Sequence, residues 1–306
     1  MRIGLHLSAS GRTPNSIDEL VAEAAAVEAA GLDAMWMPQL FDVDALTALA
    51  VIGREVDRIE LGTSVVPTYP RHPLMLAGQA LTTQAATGNR LTLGIGLSHQ
   101  MVIEGVFGYS FEQPARHMAE YLSILMPALA GEAVAFQGAT LKATAGPLTV
   151  AGARTPDVLV AALGPVMLKL AGRLADGTAT WMVGPKTLGD HIVPVITQAA
   201  AAAGRRPPRV AVGLPVCVTS DPDGTRVRAS KTFAMYGQLP SYRAMLDREG
   251  VTDPADVAII GDEEAVAGRL RRLIDLGATE LTLPVIGARP DRSRTVALLS
   301  ELAGKG

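Results

Sequence analysis

One cysteine, Cys217, is all the sequence has, so no disulfide can form within the chain. It sits in the strand-like run LPVCVTS and reads as an inert buried thiol, compatible with a reducing interior. No cluster of Lys or Arg appears and the formal net charge is −3, so the basic face of a sequence-independent nucleic-acid binder is missing. No apolar run reaches the roughly 18 residues of a membrane-spanning helix. The opening MRIGLHLSAS has only a short apolar stretch, broken by His6, which is too little for a secretory signal. A soluble, cytoplasmic protein without nucleic-acid or membrane partners is expected. Low complexity is lacking too: 31 Gly and 20 Pro accompany 48% hydrophobic and 19% charged residues, the balance of a folded chain. At 306 residues it can bury a large core without staples.

Familiar chemical signatures are also absent. The segment after the first apolar run reads LHLSASGRTP, not the G-x-G-x-x-G of a dinucleotide fold. There is no Walker loop, no H-E-x-x-H or Cys/His spacing for a metal, and no G-x-S-x-G elbow. His6, His72, His99, His117 and His191 are scattered along the chain. A metal site and a triad hydrolase are therefore both disfavoured.

What is present is one recurring junction. A helix-period segment ends at Gly and a short strand follows, in VEAAGLDAMWMP, TQAATGNRLTLGIG, AGRLADGTATWMVG and RRLIDLGATELTLPVIG. Gly takes the left-handed conformation that closes a helix, so strands alternate with helices and pair in parallel. Ser16 and Glu19 have capping-box spacing, and Ile17, Leu20, Val21, Ala24 and Val27 then share one face. Helices are predicted over 73–88, 114–130, 186–203 and through DEEAVAGRLRRLIDLG, whose acids lead and bases follow as the helix dipole prefers. Eight strands are predicted: Ile3–Ser8, Ala34–Pro38, Ile59–Val66, Leu91–Gly96, Val158–Leu163, Thr178–Met182, Val210–Thr219 and Glu280–Val285. That pattern predicts a (β/α)8 TIM barrel, with a doubly wound open sheet as the alternative. Two insertions are expected, a hairpin over 133–152 after strand four and extra helix over 220–260 after strand seven. No linker-like stretch appears, so residues 1–306 are read as a single domain.

In such a barrel the site lies at the C-terminal strand ends. These carry His6 and Ser8; Trp36, Gln39 and Asp42; Thr63 to Pro67; Gly94, Gly96, Ser98 and His99; and Leu163 to Met167. The rim is apolar, glycine-rich and poor in acids, which favours a bound organic cofactor. Gly94 and Gly96 would let a planar ring approach the backbone. Gly164–Pro165 opens a helix whose free amides would hold a phosphate. Each stretch also reads as an ordinary turn or strand end. Alternation puts His6 on the barrel interior with Gly4. Trp36 and Trp181 stand either in the core or in a pocket wall.

Taken in order, GLDAMWMPQLFDVDALTALA, RIELGTSVVPTYPRHPLMLAGQA, TTQAATGNRLTLGIGLSHQ, FEQPARHMAEYLSIL and VLVAALGPVMLKLAGRLADGTATWMV resemble the bacterial luciferase-like monooxygenase superfamily. The resemblance is nearest to the branch that uses the deazaflavin coenzyme F420. It implies a barrel with insertions and a non-proline cis peptide at Ser64–Val65 behind the ring. It implies a cofactor site made by Thr63, Ser64, Val65, Gly96, Leu97, Ser98, Leu163, Gly164, Val166 and Met167. Arg12, Arg71 and Lys186 either meet the coenzyme's anionic tail or stay solvated. Gln39 and His99 match positions that carry a His and a carboxylate in alcohol-oxidising relatives; Gln39 cannot act as a base, whereas His99 titrates in a useful range. His99, His6 and Gln39 are thus the catalytic candidates, with Glu104 beside His99. Hydride transfer between F420 and a small, uncharged or lipophilic substrate is expected, in the reductase direction and in a homodimer. An FMN-dependent monooxygenase and a non-enzymatic flavin-binding protein are the alternatives.

Overall fold

The computed structural model describes residues 1–7, 16–39 and 41–304. The expected strand end Ser8 and the loop cation Arg12 lie outside the described residues.

Eight parallel positions close into a barrel. They are β1 (Ile3–His6), β2 (Ala34–Met37), β3 (Glu60–Thr63) continued by β4 (Val66–Pro67), β5 (Leu91–Gly96), β8 (Asp157–Val160), β9 (Gly177–Trp181), β10 (Arg209–Gly213) and β13 (Glu280–Leu283). Closure is made by β3 pairing with β5 and by β13 pairing with both β10 and β1. Between α5 and β8 lies the antiparallel hairpin β6 (Val134–Gln137) and β7 (Lys142–Ala145). The helices are α1 (Ile17–Ala29), α2 (Ala45–Glu55), α3 (Pro73–Ala86), α4 (Gln100–Gly105), α5 (Pro114–Leu129), α6 (Pro165–Leu174), α7 (Pro185–Thr187), α8 (Val193–Ala202), α9 (Pro222–Phe233), α10 (Pro240–Glu249), α11 (Glu263–Asp275) and α12 (Arg289–Ala303). The (β/α)8 reading thus holds and the open sheet is excluded.

Local chemistry places the elements as the sequence predicts. Ser16 Oγ accepts from the Glu19 amide at 3.2 Å and caps α1, and Gly31 (φ +74°) turns the chain out of it. Asp262 caps α11 through the Ala265 amide at 2.9 Å. Among the described residues no helix is long and apolar enough to cross a membrane.

Two predicted strands are each two. The run Ile59–Val66 breaks between β3 and β4, where the Ser64–Val65 peptide bond is cis. The run Val210–Thr219 breaks at Leu214–Pro215. Proline has no N–H for the ladder, so β10 stays in the barrel while β11 (Val216–Val218) leaves it. β11 pairs in parallel with β12 (Ile259–Gly261), a strand inside the segment that reads as extra helix. Within that segment α9 and α10 are joined by a 3₁₀ turn, Ala234–Gln238.

The barrel interior is layered. At the N-terminal end, the first residues of four strands meet. Arg209 bonds Glu60 at 2.8 Å, Glu280 at 2.8 and 2.9 Å, and Asp157 at 3.0 Å. It also reaches Thr92 at 2.9 Å, and Arg2 bonds Glu60 from outside. Above this lies Trp36, buried among Ala34, Leu159, Ala179 and Ala211. Gly62 makes room for the indole, because a Cβ there would fall 2.3 Å from the ring. Trp36 is therefore interior packing, not a pocket wall.

Candidate active site

The mouth is set by the break in the third strand. Thr63 is fully buried, and its hydroxyl donates to Gly94 O and accepts from Gly94 N, both at 2.8 Å. One side chain thus stands in for the ladder where β3 stops. The Ser64 amide donates to Met37 O at 2.8 Å, and β4 resumes pairing with Ile95 and Gly96. Val65 packs on the interior cluster around Trp36.

The two glycines of β5 lie directly against this ledge. A Cβ on Gly94 would lie 2.0 Å from Thr63 O, and one on Gly96 would lie 2.7 Å from Val65 Cγ2 and 3.1 Å from Ala161 Cβ. The space these glycines free is filled by the chain's own ledge, Thr63 to Val65.

At the end of β8 the geometry is open. Gly164 caps α6 with Pro165 at its first position, and among the described residues, its chain neighbours aside, no atom lies within 4 Å of where a Gly164 Cβ would be. The next amides, of Val166 and Met167, have no carbonyl partner by helix geometry. Val166 is 59% exposed. Leu163 is pinned by its carbonyl, 2.8 Å from His191 Nε2. A side-chain-free surface beside unpaired amides fits an anionic phosphate.

His6 comes off the end of β1, hydrogen-bonded to the backbone of Ser64 and stacked on Trp181 at 6.1 Å. Burial lowers its pKa to about 4, partly opposed by that bond. Leu97, Ser98 (φ +61°) and His99 form the half-buried turn into α4. His99 makes no capping bond with its side chain; its ring faces Tyr242 at 5.9 Å, and burial lowers its pKa as well. His117 stacks flat on Tyr69 at 4.0 Å and pairs with Thr68 Oγ1 at 3.1 Å. Burial takes its pKa to about 4, against the pull of Glu120. All three imidazoles are therefore neutral at pH 7.

Other candidates are occupied elsewhere. Gln39 Oε1 accepts from the Ala45 amide at 2.8 Å and from Arg71 at 3.3 Å, so it braces the start of α2. Arg71 is held by Asp44 and by Gln79 at 2.6 Å. Burial disfavours the Asp44 carboxylate, yet Arg71 and Thr47 outweigh it and hold its pKa below the usual range. Glu104 accepts from Gln100 at 3.0 Å and from the Phe111 amide at 3.2 Å, closing its own loop and not His99. Lys186 is exposed, with its amide bonded to Glu249 at 3.1 Å.

Trp181, a candidate for the pocket wall, is flanked by rings from the segment after β10. Trp181 meets Phe233 at 6.0 Å and Tyr236 at 5.9 Å, and Tyr236 meets Tyr242 at 5.0 Å, all edge-on. These rings come from α9, the 3₁₀ turn and α10, so the segment after β10 folds over the mouth. Its only sequence signal is the aromatic spacing in KTFAMYGQLPSYRAM. Among the described residues, no group of three or more His, Cys, Asp or Glu is gathered to hold a metal. Two open depressions, of about 530 and 570 Å³, lie elsewhere, between α1 and α12 and at the N-terminal end of the barrel.

A neutral, ring-lined mouth beside a ledge and an open helix start defines a barrel built to take an organic ligand. The chain belongs to the luciferase-like monooxygenase family, whose sequence model matches residues 1–280. It is 30% identical over 236 residues to 5,10-methylenetetrahydromethanopterin reductase of Methanolobus tindarius, covering 76% of this chain and 71% of that one. It is 26% identical over 332 residues to the F420-dependent glucose-6-phosphate dehydrogenase of Nakamurella multipartita, covering 98% and 95%. In fold it is similar to the coenzyme F420-dependent tetrahydromethanopterin reductase of Methanopyrus kandleri, with a TM-score of 0.80 at 22% identity, covering 98% and 97%. It is also similar to the oxygenating constituent of 3,6-diketocamphane monooxygenase of Pseudomonas putida in complex with FMN, with a TM-score of 0.78 at 18% identity, covering 100% and 98%.

Proposed function

We propose that this chain is a coenzyme F420-dependent oxidoreductase that moves a hydride between the deazaflavin and a small uncharged organic substrate, working as a reductase. The observation that carries the reading is the pairing, on one mouth, of the Thr63–Val65 ledge with the open amides of Val166 and Met167. Bound there, the coenzyme would supply a two-electron hydride carrier. The ledge, with Gly96, Leu97 and Ser98 beside it, would back the ring, while Leu163, Gly164, Val166 and Met167 would seat the phosphate. His6 lies against Ser64 from the interior side and His99 on the outer rim. Of the two, His99 is the group placed to move a proton with the substrate. Residues 1–306 are proposed to act as one domain in a homodimer, for which Val51 on α2 and Met75 on α3 are exposed apolar residues.

A flavin monooxygenase would use the same ledge and the same amides, so affinity must separate the two. Titration of the purified protein followed by F420 fluorescence is expected to show saturable binding that FMN at about tenfold excess does not reverse. Displacement by FMN, or FMN binding without F420 binding, would invert the order of the two readings.

A further inference from the structure

The rings over the mouth form a continuous arc. It starts at His6 on β1, passes through Trp181 on β9, then Phe233, Tyr236 and Tyr242 from the excursion after β10, and ends at His99 after β5. It thus crosses from one side of the barrel to the other. Phe233 is buried and anchors the arc, whereas the other five rings are half-buried. The chain has only 12 aromatic residues of the Phe, Trp and Tyr types (5, 2 and 5), and four of them stand in this arc. The arc edges the main core: Phe233 belongs to it, and Trp181, Tyr236 and Tyr242 pack against it from the mouth side.

Two charged neighbours on the excursion are engaged outward: Arg243 bonds Asp247 at 2.8 Å and the carbonyls of Thr252 and Val251, and Glu249 bonds the amides of Lys186 and Thr187. Arg71 and Glu104 are tied down as described. Unpaired polar atoms remain on the arc: among the described residues the buried Trp181 Nε1 has no hydrogen-bond partner. The Tyr242 hydroxyl makes no hydrogen bond among the described residues, though its ring is wedged between Tyr236 and His99.

We propose that this arc selects the substrate class: a flat, uncharged, conjugated carbonyl compound lies against the rings, and the Tyr242 hydroxyl donates a hydrogen bond to its oxygen. Rings of this kind reward flat apolar faces, and a desolvated, ring-lined surface penalises an ion. Burial keeps the Tyr242 phenol protonated by raising its pKa well above its ordinary value, with Tyr236 adding to the effect. Tyr242 is then a donor throughout the physiological range. The proposal rests on reading the mouth as the hydride-transfer site, and it names what enters that site.

The test uses two probes of one shape, 2-acetylnaphthalene and its anionic counterpart 6-acetyl-2-naphthoate. Each is titrated by calorimetry into the full chain, with F420 binding followed separately by the coenzyme's own fluorescence. The uncharged ketone is expected to bind at least tenfold tighter than the carboxylate. Tyr242→Phe, which keeps the ring, is expected to weaken the ketone about fivefold to tenfold while changing F420 affinity less than twofold. Equal affinity for the two probes, or a Tyr242→Phe protein that binds the ketone as the parent does, overturns the proposal. A wild-type protein that leaves F420 fluorescence unchanged counts instead against the coenzyme reading, so the two fail separately.

Discussion

Gly94→Ala is expected to cost about 3 kcal/mol of stability and to abolish measurable coenzyme binding. The added methyl would sit 2.0 Å from Thr63 O, a backbone atom with no rotamer to escape into. The strand end must move, and with it go both 2.8 Å bonds between Thr63 Oγ1 and Gly94. Overpacking costs about 1–3 kcal/mol and each lost buried bond about 1 kcal/mol, with partial relaxation limiting the sum. For a chain of this size that lowers the melting temperature by roughly 5 °C. Gly164→Ala is the contrast. Its Cβ meets nothing among the described residues, so it should cost only about 1 kcal/mol, the preference of an N-cap for Gly over Ala. Thermal melts of the two variants side by side check this. A Gly94→Ala protein as stable as the parent would show that the ledge is not held as described.

Arg209→Met is expected to cost about 3–5 kcal/mol while leaving coenzyme binding intact. Arg209 sits at the closed end of the barrel, where it satisfies Glu60, Asp157 and Glu280 together. The Glu280 side chain is only 2% exposed, so removing its partner strands a buried charge. Burial already pushes the Glu280 pKa up, against the pull of Arg209. Burial likewise opposes the Arg209 charge, but Glu280 and Glu60 more than restore it, and its pKa lies above the ordinary guanidinium range. Adding Glu280→Gln to Arg209→Met should recover part of the loss, since the stranded charge goes with it. Denaturant unfolding of the single and double variants measures both effects. A loss below about 1 kcal/mol would mean that water reaches this layer and screens it.

Much of this molecule is legible in one dimension. Caps such as Ser16 and Asp262, and glycines such as Gly31, mark helix ends through bonds between near neighbours, which sequence records directly. The inward placement of His6 follows from alternation along a short strand. What failed is long-range. Gly94 and Gly96 announce that space is needed, but not which atoms fill it; the answer was the third strand's own backbone. Pro215 inside an apolar run divides one predicted strand into β10 and β11, and the strand that pairs with β11 lies beyond two helices. Arg209 looks like an ordinary strand-start cation until four strands bring its partners together. Tyr242 had no sequence link to His99, because only the folding of the excursion over the mouth joins them. The cis bond at Ser64–Val65 came from family resemblance and not from any propensity of those residues.

The central claim is that the break between β3 and β4 backs a deazaflavin. The direct measurement is a crystal structure of the protein soaked with F420. It should place the ring against the Thr63–Val65 ledge and the phosphate on the amides of Val166 and Met167. Ring density at any other face of the barrel, or a phosphate away from the start of α6, would contradict it.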